Sequence, residues 1–500
     1  MDRLRHDRVG VRAVQAGLAV TALPPASVAY AGSPAAREPG SLALPLGLLL
    51  AALALAYLPS LGASFQFDDW NVIVRDARVQ SLAAWLASMP GIRPLLKLSY
   101  ALNHEFGAGP AGFRAVNVVV HALNSALVAV VLRGLGLRLA LAPGAAGLAA
   151  LVAATVFALH PVQTEAVTYV SGRSTSLSTL FALLAFAAWL RGLDTPRERR
   201  WRWIWLAIFA LALGVKEAPV ALPLVMSAWL VASAAAPSIP RRVAPHFALL
   251  LGLVVVVIAW PPYRALLAAS LEARPLGLNL LTQVDAIVYL IGQLGALEGM
   301  NADPGLPVVA ALDAALALRA AALLGLLVVG LVLLRRQRAA GFAIVWFFAW
   351  LLPTNSLVPR IDVVNDRQLY VAIVGPAWLL GLALAPLASR RPRLALAGLA
   401  ALGVVLTMAT LRHNRVYATE ISFWQDVAGK SPRNARAANN LGYAYALDCR
   451  DAEAMREFRR AMRLDPADYR APSNLRLLSE GALFPDNARR CPGPAPRPSP

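Results

Sequence analysis

An all-α, polytopic membrane protein is the fold class that this sequence predicts. Hydrophobic residues make up 58% of the chain, and they occur in blocks of about 17–22 residues, the length that carries a helix across roughly 30 Å of hydrocarbon. Arginine clusters separate many of the blocks, as expected for loops on the cytoplasmic side of a membrane. A tetratricopeptide-type pattern near the C-terminus adds a short soluble α-helical domain.

The apolar blocks predict about eleven crossings and one further helix that does not cross. That further block, near 284–298, is short and contains Asp285 and Gln293, which favours a re-entrant or interfacial helix. Residues after 412 then lie outside the cytoplasm. Because the Ala/Leu/Arg-rich composition is typical of a bacterial chain, we expect a multi-pass protein of the bacterial inner membrane with its C-terminal domain in the periplasm.

The same patterns divide the chain into four segments. Residues 1–40 form an N-terminal leader, which we expect to be cytoplasmic, and 41–412 form the transmembrane domain. Residues 413–480 form the repeat domain, and 481–500 a disordered, proline-rich tail. The net charge is +19, but most of the excess lies in short loops and in the leader. The positive-inside rule explains that placement, so no nucleic-acid partner is expected.

Polar segments without arginine clusters gather at the opposite, extracytoplasmic ends of the predicted spans. They are FDDW (67–70), RPLLKLSYALNHE (93–105), HPVQTEAVTYVSGR (160–173), VKEAP (215–219) and NDRQLY (365–370). Ionisable groups at a membrane boundary are costly unless they have a function. Their shared side therefore predicts an active site on that face.

Two adjacent carboxylates, Asp68 and Asp69, stand out in the first of these segments. From the residues alone they could provide a general base, ligands for a divalent metal, or caps for the helices that follow. Capping is the more common role of such a pair. The position of the pair, at the start of a long loop on the predicted active-site face, raises the weight of the catalytic alternative.

Cationic side chains on the same face would suit a phosphate leaving group. They are Arg93, Lys97, Arg173, Lys216 and Arg367. The alternative for any single one is contact with lipid headgroups. Because the positive-inside rule disfavours cations on this side, the set as a whole indicates function.

Histidine and amide side chains allow further assignments. His160 and Glu165 are five residues apart without a third ligand nearby, so a zinc site is not expected. Each could hydrogen-bond a sugar hydroxyl or tether the loop.

One helical face carries a further set of polar residues, Asn117, His121 and Asn124. We interpret them as hydrogen-bond links between helices.

The repeat domain is predicted from spacing. From Ala435 onward, small residues at Gly442, Ala454 and Ala461 would let two helices approach closely, with Phe458 filling the gap between them. About two repeat units are present, fewer than the three that stability usually requires. The domain should therefore rest on the membrane domain or on a partner. The expected peptide- or partner-binding residues are Asn439, Asn440 and Tyr445.

These segments together resemble the transmembrane and tetratricopeptide-repeat family of O-mannosyltransferases and its bacterial relatives, within the GT-C superfamily. The resemblance spans roughly 41–480, and its most specific part is HPVQTEAVTYVSGR at 160–173. It implies a GT-C-like transmembrane catalytic domain at 41–412. It also implies an inverting enzyme that takes a sugar such as mannose from a polyprenyl-phosphate carrier on the non-cytoplasmic face.

The resemblance also implies roles for single residues. It makes Asp68 or Asp69 the catalytic carboxylate. The residues expected to bind substrate are Arg93, His160, Glu165, Arg173, Lys216, Glu217, Arg367 and Tyr370. The acceptor would be a Ser or Thr hydroxyl of an exported protein. Membrane lipid is a further expected partner of the chain. The donor would be a lipid-linked sugar phosphate; no resident cofactor or metal is assigned, although a divalent metal is left open.

Two other functions are open at this stage. One is transfer of the sugar to a lipid or cell-envelope polymer, which the repeat domain disfavours because such repeats usually bind peptide. The other is a non-catalytic membrane scaffold that recruits partners through the repeat.

Overall fold

The computed structural model is all-α, with no strand among the residues that it describes, as the sequence predicts. It describes residues 42–484 apart from positions 90, 108, 235–238 and 361. The predicted leader and the part of the predicted tail from 485 to 500 lie outside the described residues.

The helices of the membrane part form two consecutive groups. The first group comprises α1 (Ala43–Tyr57), α2 (Leu82–Ala87), α3 (Pro94–Glu105), α4 (Pro110–Arg138), α5 (Pro143–Leu159), α6 (Thr164–Val167), α7 (Arg173–Leu193), α8 (Glu198–Val215) and α9 (Leu222–Ala232). The second comprises α10 (Ile239–Ala259), α11 (Pro261–Ala273), α12 (Leu276–Gln293), α13 (Ala314–Arg336), α14 (Arg338–Leu351), α15 (Leu369–Ala372), α16 (Val374–Leu384), α17 (Leu387–Arg390) and α18 (Pro392–Asn414). The repeat part comprises α19 (Glu420–Lys430), α20 (Ala435–Leu447), α21 (Asp451–Leu464) and α22 (Arg470–Ser479).

Within the described residues, 5 helical segments are long and apolar enough to cross a membrane. They are Ala43–Gly62, Pro110–Arg138, Val170–Leu193, Ala314–Arg336 and Pro392–Tyr417. Bent helix pairs raise the number of candidate spans to 8, and α9 and α14 belong to shorter apolar helices. The chain is therefore a multi-pass membrane protein, whereas a count of about eleven crossings stays a prediction.

The block near 284–298 lies largely in α12, a helix without a break that is not among the candidate spans. On it, Asp285 pairs with Arg319 of α13 at 2.6 Å, so the carboxylate is neutralised by a neighbouring helix. Because a re-entrant segment needs a turn, the unbroken helix favours the interfacial alternative. An irregular segment, 294–313, follows α12.

Helices α4 and α7 run side by side in the same direction and define two ends of the membrane part. At one end, Arg138 of α4 pairs with Asp194, which follows α7. At the other end, Arg173 of α7 donates a hydrogen bond to Asn117 of α4 at 2.7 Å. The 21 residues of α7 give it a length of about 31 Å. The polar segments and the arginine-rich loops therefore lie at opposite ends of these helices.

Buried amide and imidazole groups on α4 join the helices. Asn117 donates to the carbonyl of Val167 at 3.1 Å, and Asn124 donates to the hydroxyl of Tyr370 at 3.0 Å. His121 Nδ1 lies 2.8 Å from the same hydroxyl. All three α4 side chains are fully buried. The interpretation of these residues as links between helices is confirmed.

The hairpin of α20 and α21 shows why its small residues are needed. A Cβ on Gly442 would lie 2.8 Å from the ring of Phe458, closer than side-chain atoms approach. Ala454 and Phe458 are fully buried between the helices. The predicted close approach at these positions is confirmed.

The repeat part packs directly on the membrane part. Tyr169, from the loop before α7, shares a hydrophobic cluster with Tyr417, Phe423 and Trp424. The ring centroids of Phe67 and Trp424 are 5.2 Å apart. The short repeat part therefore rests on the membrane part, one of the two supports expected for it.

Candidate active site

The polar segments predicted to converge are joined by direct contacts. Ser171 donates to Asp69, which links 67–70 with 160–173. Arg93 binds Glu217 through two hydrogen bonds, which links 93–105 with 215–219. The backbone N–H of Arg367 donates to Glu165. The predicted convergence on one end of the helices is confirmed.

The two adjacent aspartates have different environments, and Asp69 is a buried anchor. Its Oδ1 accepts from the Ser171 N–H at 2.8 Å and from the Ser171 hydroxyl at 2.5 Å. Its Oδ2 accepts from the N–H of Gln66 at 3.2 Å. Burial raises the pKa of Asp69 to about 6, although these donors act to lower it. This carboxylate has no exposed surface, and its bonds to Ser171 tie the loop to the turn before α7.

Asp68, in contrast, is partly exposed and faces cationic groups. Its backbone N–H donates to the hydroxyl of Tyr169 at 3.1 Å. Burial raises the pKa of the Asp68 carboxyl, while Arg367 and the Tyr169 hydroxyl oppose that rise. Asp68 is therefore the one of the two aspartates whose carboxylate can meet a ligand.

Tyr169 connects Asp68 with the next part of the site. Its ring centroid lies 5.9 Å from the guanidinium carbon of Arg367, within the range of a cation–π contact. Arg367 in turn lies 3.4 Å from the carboxylate of Glu165. The site therefore contains a chain of contacts from Asp68 through Tyr169 and Arg367 to Glu165.

A cleft-shaped pocket lies beside Arg367, and the space of about 410 Å³ between and above its walls includes open solvent. It is lined by Thr175, Ser178, Thr179, Lys216, Ala218, Trp350, Thr354, Arg360, Arg367, Gln368 and Val371. The three hydroxyl residues of α7 share one helical face. Cations and hydroxyl donors together line the pocket, a combination that suits an anion.

Two cations of this pocket have no carboxylate partner among the described residues. Lys216 donates to the hydroxyl of Thr175 at 2.7 Å, and neither Lys216 nor Arg360 forms a salt bridge within 4.0 Å in that part of the chain. Burial, together with Arg367 and Arg360, lowers the pKa of Lys216 well below its usual value. Burial and Arg367 also lower the pKa of Arg360 to about 10. The pocket therefore holds positive charge that an anionic ligand would stabilise.

Sequence reasoning missed Arg360 and the hydroxyl residues of the pocket. A signal for each was present. Arg360 follows a predicted span on the side where the positive-inside rule disfavours arginine. Thr175, Ser178 and Thr179 lie in the polar run RSTSLST at the start of an otherwise apolar helix.

Arg93 lies at the edge of the same site with its charge compensated. Its guanidinium contacts Glu217 at 3.0 and 2.7 Å. The φ angle of Arg93 is 51°, a left-handed conformation that is uncommon for a residue with a side chain. Neither Arg93 nor Glu217 lines the pocket, so this ion pair lies outside the pocket lining.

Arg173 is placed away from the pocket, with its donors already engaged. It donates to the side chains of Asn117 at 2.7 Å and Asn103 at 2.6 Å, and to the carbonyl of Phe113 at 2.7 Å. Its side chain is fully buried. The geometry gives Arg173 a role in fixing α3 and α4 against α7.

His160 and Tyr370 are likewise engaged within the protein. His160 Nδ1 accepts from the N–H of Val162 at 3.2 Å. The hydroxyl of Tyr370 belongs to the buried network of α4. Both side chains are almost fully buried, and neither lines the pocket.

The residues expected to bind peptide in the repeat part differ in accessibility. Asn439 accepts from Asn474 at 3.0 Å, and the hydroxyl of Tyr445 accepts from Gln425 at 2.8 Å. Both side chains are buried, whereas Asn440 is half-buried. Peptide binding by these residues stays a prediction.

A divalent metal at the aspartate pair would have few ligands. Across the described residues, no group of at least three His, Cys, Asp or Glu side chains is arranged to hold a metal ion. Asp69 already accepts three hydrogen bonds, which leaves Asp68 as the available oxygen donor.

Comparison with known proteins finds relatives over part of the chain. This chain is 32% identical over 179 residues to the protein O-mannosyl-transferase Tmtc2 of Drosophila melanogaster. The aligned part covers 32% of this chain and 18% of that protein. The chain is 34% identical over 158 residues to the human protein O-mannosyl-transferase TMTC4, covering 26% of this chain and 21% of that protein. The Xenopus laevis protein O-mannosyl-transferase tmtc2 is 33% identical over 166 residues.

These matches fix how far the relationship extends. The chain is a relative of the TMTC-type protein O-mannosyl-transferases over about a third of its own length, less than the 41–480 range of the resemblance. The matched part spans about a fifth of each of those relatives. No protein-family model matches the chain, and no solved structure matches it.

Proposed function

We propose that this protein is a membrane glycosyltransferase that transfers mannose from polyprenyl-phosphate mannose to a Ser or Thr hydroxyl of an exported protein. The observation that carries the proposal is the electrostatic interaction of the Asp68 carboxylate with Arg367, which lines a pocket whose Lys216 and Arg360 lack carboxylate partners among the described residues. A base next to an anion site is what transfer from a sugar phosphate requires. The names of the relatives support this assignment.

In the proposed reaction, Asp68 acts as the general base. Its carboxylate removes the proton of the acceptor hydroxyl as the oxygen forms a bond to the anomeric carbon of the sugar. The bond between that carbon and the phosphate oxygen breaks on the opposite face of the sugar ring. The configuration is therefore inverted, and polyprenyl phosphate leaves.

The pocket stabilises the leaving phosphate. Lys216 and Arg360 provide charge that strengthens their interaction with the phosphate as its negative charge grows. Thr175 and neighbouring hydroxyl groups of α7 supply further donors. Arg367, held by Glu165 and Tyr169, lines the same pocket and interacts with the base. The isoprenoid chain stays in the lipid, so only the sugar phosphate enters the polar site.

The placement of charge supports an extracytoplasmic position for this site. Arginine-rich loops, exemplified by Arg138 and the 191–202 segment, lie at the far ends of α4 and α7. The positive-inside rule assigns those ends to the cytoplasm. The candidate site and the repeat domain would then face the periplasm of a bacterial inner membrane.

The test is transfer by the purified full-length protein in proteoliposomes, with polyprenyl-phosphate mannose labelled in the sugar and a Ser/Thr-rich peptide. We expect the wild type to transfer mannose with inversion, as judged by NMR of the anomeric proton. Asp68→Asn should reduce the rate by about 10²–10⁴-fold, the usual contribution of a general base. The control, Asp194→Asn, changes a carboxylate at the opposite end of α7 and should retain the rate.

Different outcomes separate the alternatives. Full activity in a folded Asp68→Asn variant would reject Asp68 as the base. Transfer to lipid or polymer acceptors but not to the peptide would favour a cell-envelope glycosyltransferase. No transfer by the wild type to any acceptor would favour the scaffold function.

A further inference from the structure

The repeat domain contributes one arginine that reaches the loop carrying Arg360. Arg436 of α20 lies 2.6 Å from Asp362 and 2.7 Å from Asp303 through its two terminal nitrogens. Its Nε also donates to Asp303 at 2.8 Å. One guanidinium thus binds two carboxylates, one from the 294–313 segment and one from the loop of the candidate site.

The carboxylate of Asp362 lies within electrostatic reach of the pocket cations. It is two residues from Arg360 and five from Arg367. Burial acts to raise the pKa of Asp362, but Arg436, Arg367 and Arg360 together outweigh it and hold the pKa below its usual value. Among the described residues, only Arg436 lies within salt-bridge distance of this carboxylate. Asp303, in contrast, belongs to the 294–313 segment and not to the loop that carries Arg360.

Arg436 is itself held in place by the packing of the repeat domain on the membrane part. Glu420, at the start of α19, accepts from the N–H of Phe67 at 3.2 Å and from the indole N–H of Trp70 at 3.1 Å. Lys430 donates to the carbonyl of Met300 at 2.7 Å. The first repeat helices therefore contact the base-bearing loop as well as the segment after α12.

We propose that Arg436 is a positioning residue for the donor phosphate, because it holds the Asp362 carboxylate away from Arg360 and Arg367. This inference rests on the proposed function. Without Arg436, the nearest cations for Asp362 are those two arginines, and a carboxylate bound to them competes with the phosphate for the same donors. The repeat domain then acts on donor binding in addition to any contact with an acceptor.

The proposal predicts a specific pattern of loss and rescue. Arg436→Gln should raise the donor KM by about tenfold or more, the scale of one hydrogen bond to a charged group. Adding Asp362→Asn to that variant should restore the KM, because the competing charge is gone. Adding Asp303→Asn instead should not restore it. Asp362→Asn alone should leave the donor KM unchanged or lower.

The measurement combines two readouts on the full-length protein in detergent. Transfer from labelled polyprenyl-phosphate mannose gives the donor KM, and native mass spectrometry gives binding of unlabelled polyprenyl phosphate. A purely structural contact would predict that the Arg436→Gln/Asp362→Asn double variant is no better than Arg436→Gln. That result, or an unchanged KM in a folded Arg436→Gln variant, would overturn the proposal.

The binding readout keeps this proposal separate from the proposed function. If the wild type binds polyprenyl phosphate but transfers no sugar, the proposed function fails. Rescue of binding by Asp362→Asn would then still support the role of Arg436. If transfer is present and the rescue is absent, the proposed function stands and the role of Arg436 fails.

Discussion

Replacing Arg360 with methionine is the most informative single change at the candidate site. Arg360 lines the pocket, and no carboxylate of the described residues lies within 4.0 Å of its guanidinium. Burial and Arg367 lower its pKa to about 10, and they outweigh the opposite effect of Asp362 and Glu165. Its removal should therefore leave the fold intact and weaken binding of the leaving phosphate.

The magnitude follows from the bond that is lost. A hydrogen bond to a charged group contributes about 1.5–3 kcal/mol, which corresponds to about a 10- to 150-fold loss of kcat/KM. Because repulsion between Arg360 and its cationic neighbours disappears in the unliganded protein, the unfolding temperature should not fall. The pKa of Lys216 should rise in Arg360→Met, because Arg360 is one cause of its lowered value.

The assay is transfer of labelled mannose in proteoliposomes, with thermal unfolding measured in parallel. The control is Arg412→Met, which removes an exposed arginine whose partner, Glu298, is also exposed, and it should change neither quantity. If Arg360→Met keeps kcat/KM within about twofold of the wild type while Arg412→Met does the same, the phosphate does not bind at this pocket.

Two further changes test the buried parts of the site. Tyr370→Phe leaves His121 and Asn124 without their hydroxyl partner, which should cost about 1–3 kcal/mol of stability without changing the donor KM; a raised KM at unchanged unfolding temperature would contradict this structural role. Because burial raises the pKa of Asp69 to about 6, the folded protein binds a proton between about pH 4 and 6 that the unfolded chain releases. Asp69 should therefore contribute a loss of about 3 kcal/mol of stability as the pH rises through this range. The stability of the wild type relative to Asp69→Asn should fall by that amount, and a difference that does not change with pH would refute it.

The general location of the site could be predicted because its signals are local in the sequence. Apolar block length and arginine placement depend on the membrane as a solvent, not on the partners of each helix. They were sufficient to put FDDW and NDRQLY at one end of the helices. Both segments contact the 160–173 segment, through Asp69 with Ser171 and through Arg367 with Glu165.

The roles of individual residues were less predictable. Arg173 and Lys216 look equivalent in the sequence, as cations on the same predicted face. In the structure, Arg173 is surrounded by amide and carbonyl acceptors, whereas Lys216 has one hydroxyl partner and a pocket beside it. The number of donors and acceptors around a buried group depends on several chain segments at once.

The sequence by itself determined the all-α membrane class, the side shared by the polar segments and the small residues of the repeat hairpin. Only the tertiary structure decided that Asp69 is a buried anchor while Asp68 is partly exposed, and that the C-terminal helices pack on the site through Glu420 and Arg436. The physical reason is that hydrophobic length and helical spacing are properties of one segment. Burial and ion pairing are properties of segments brought together by folding.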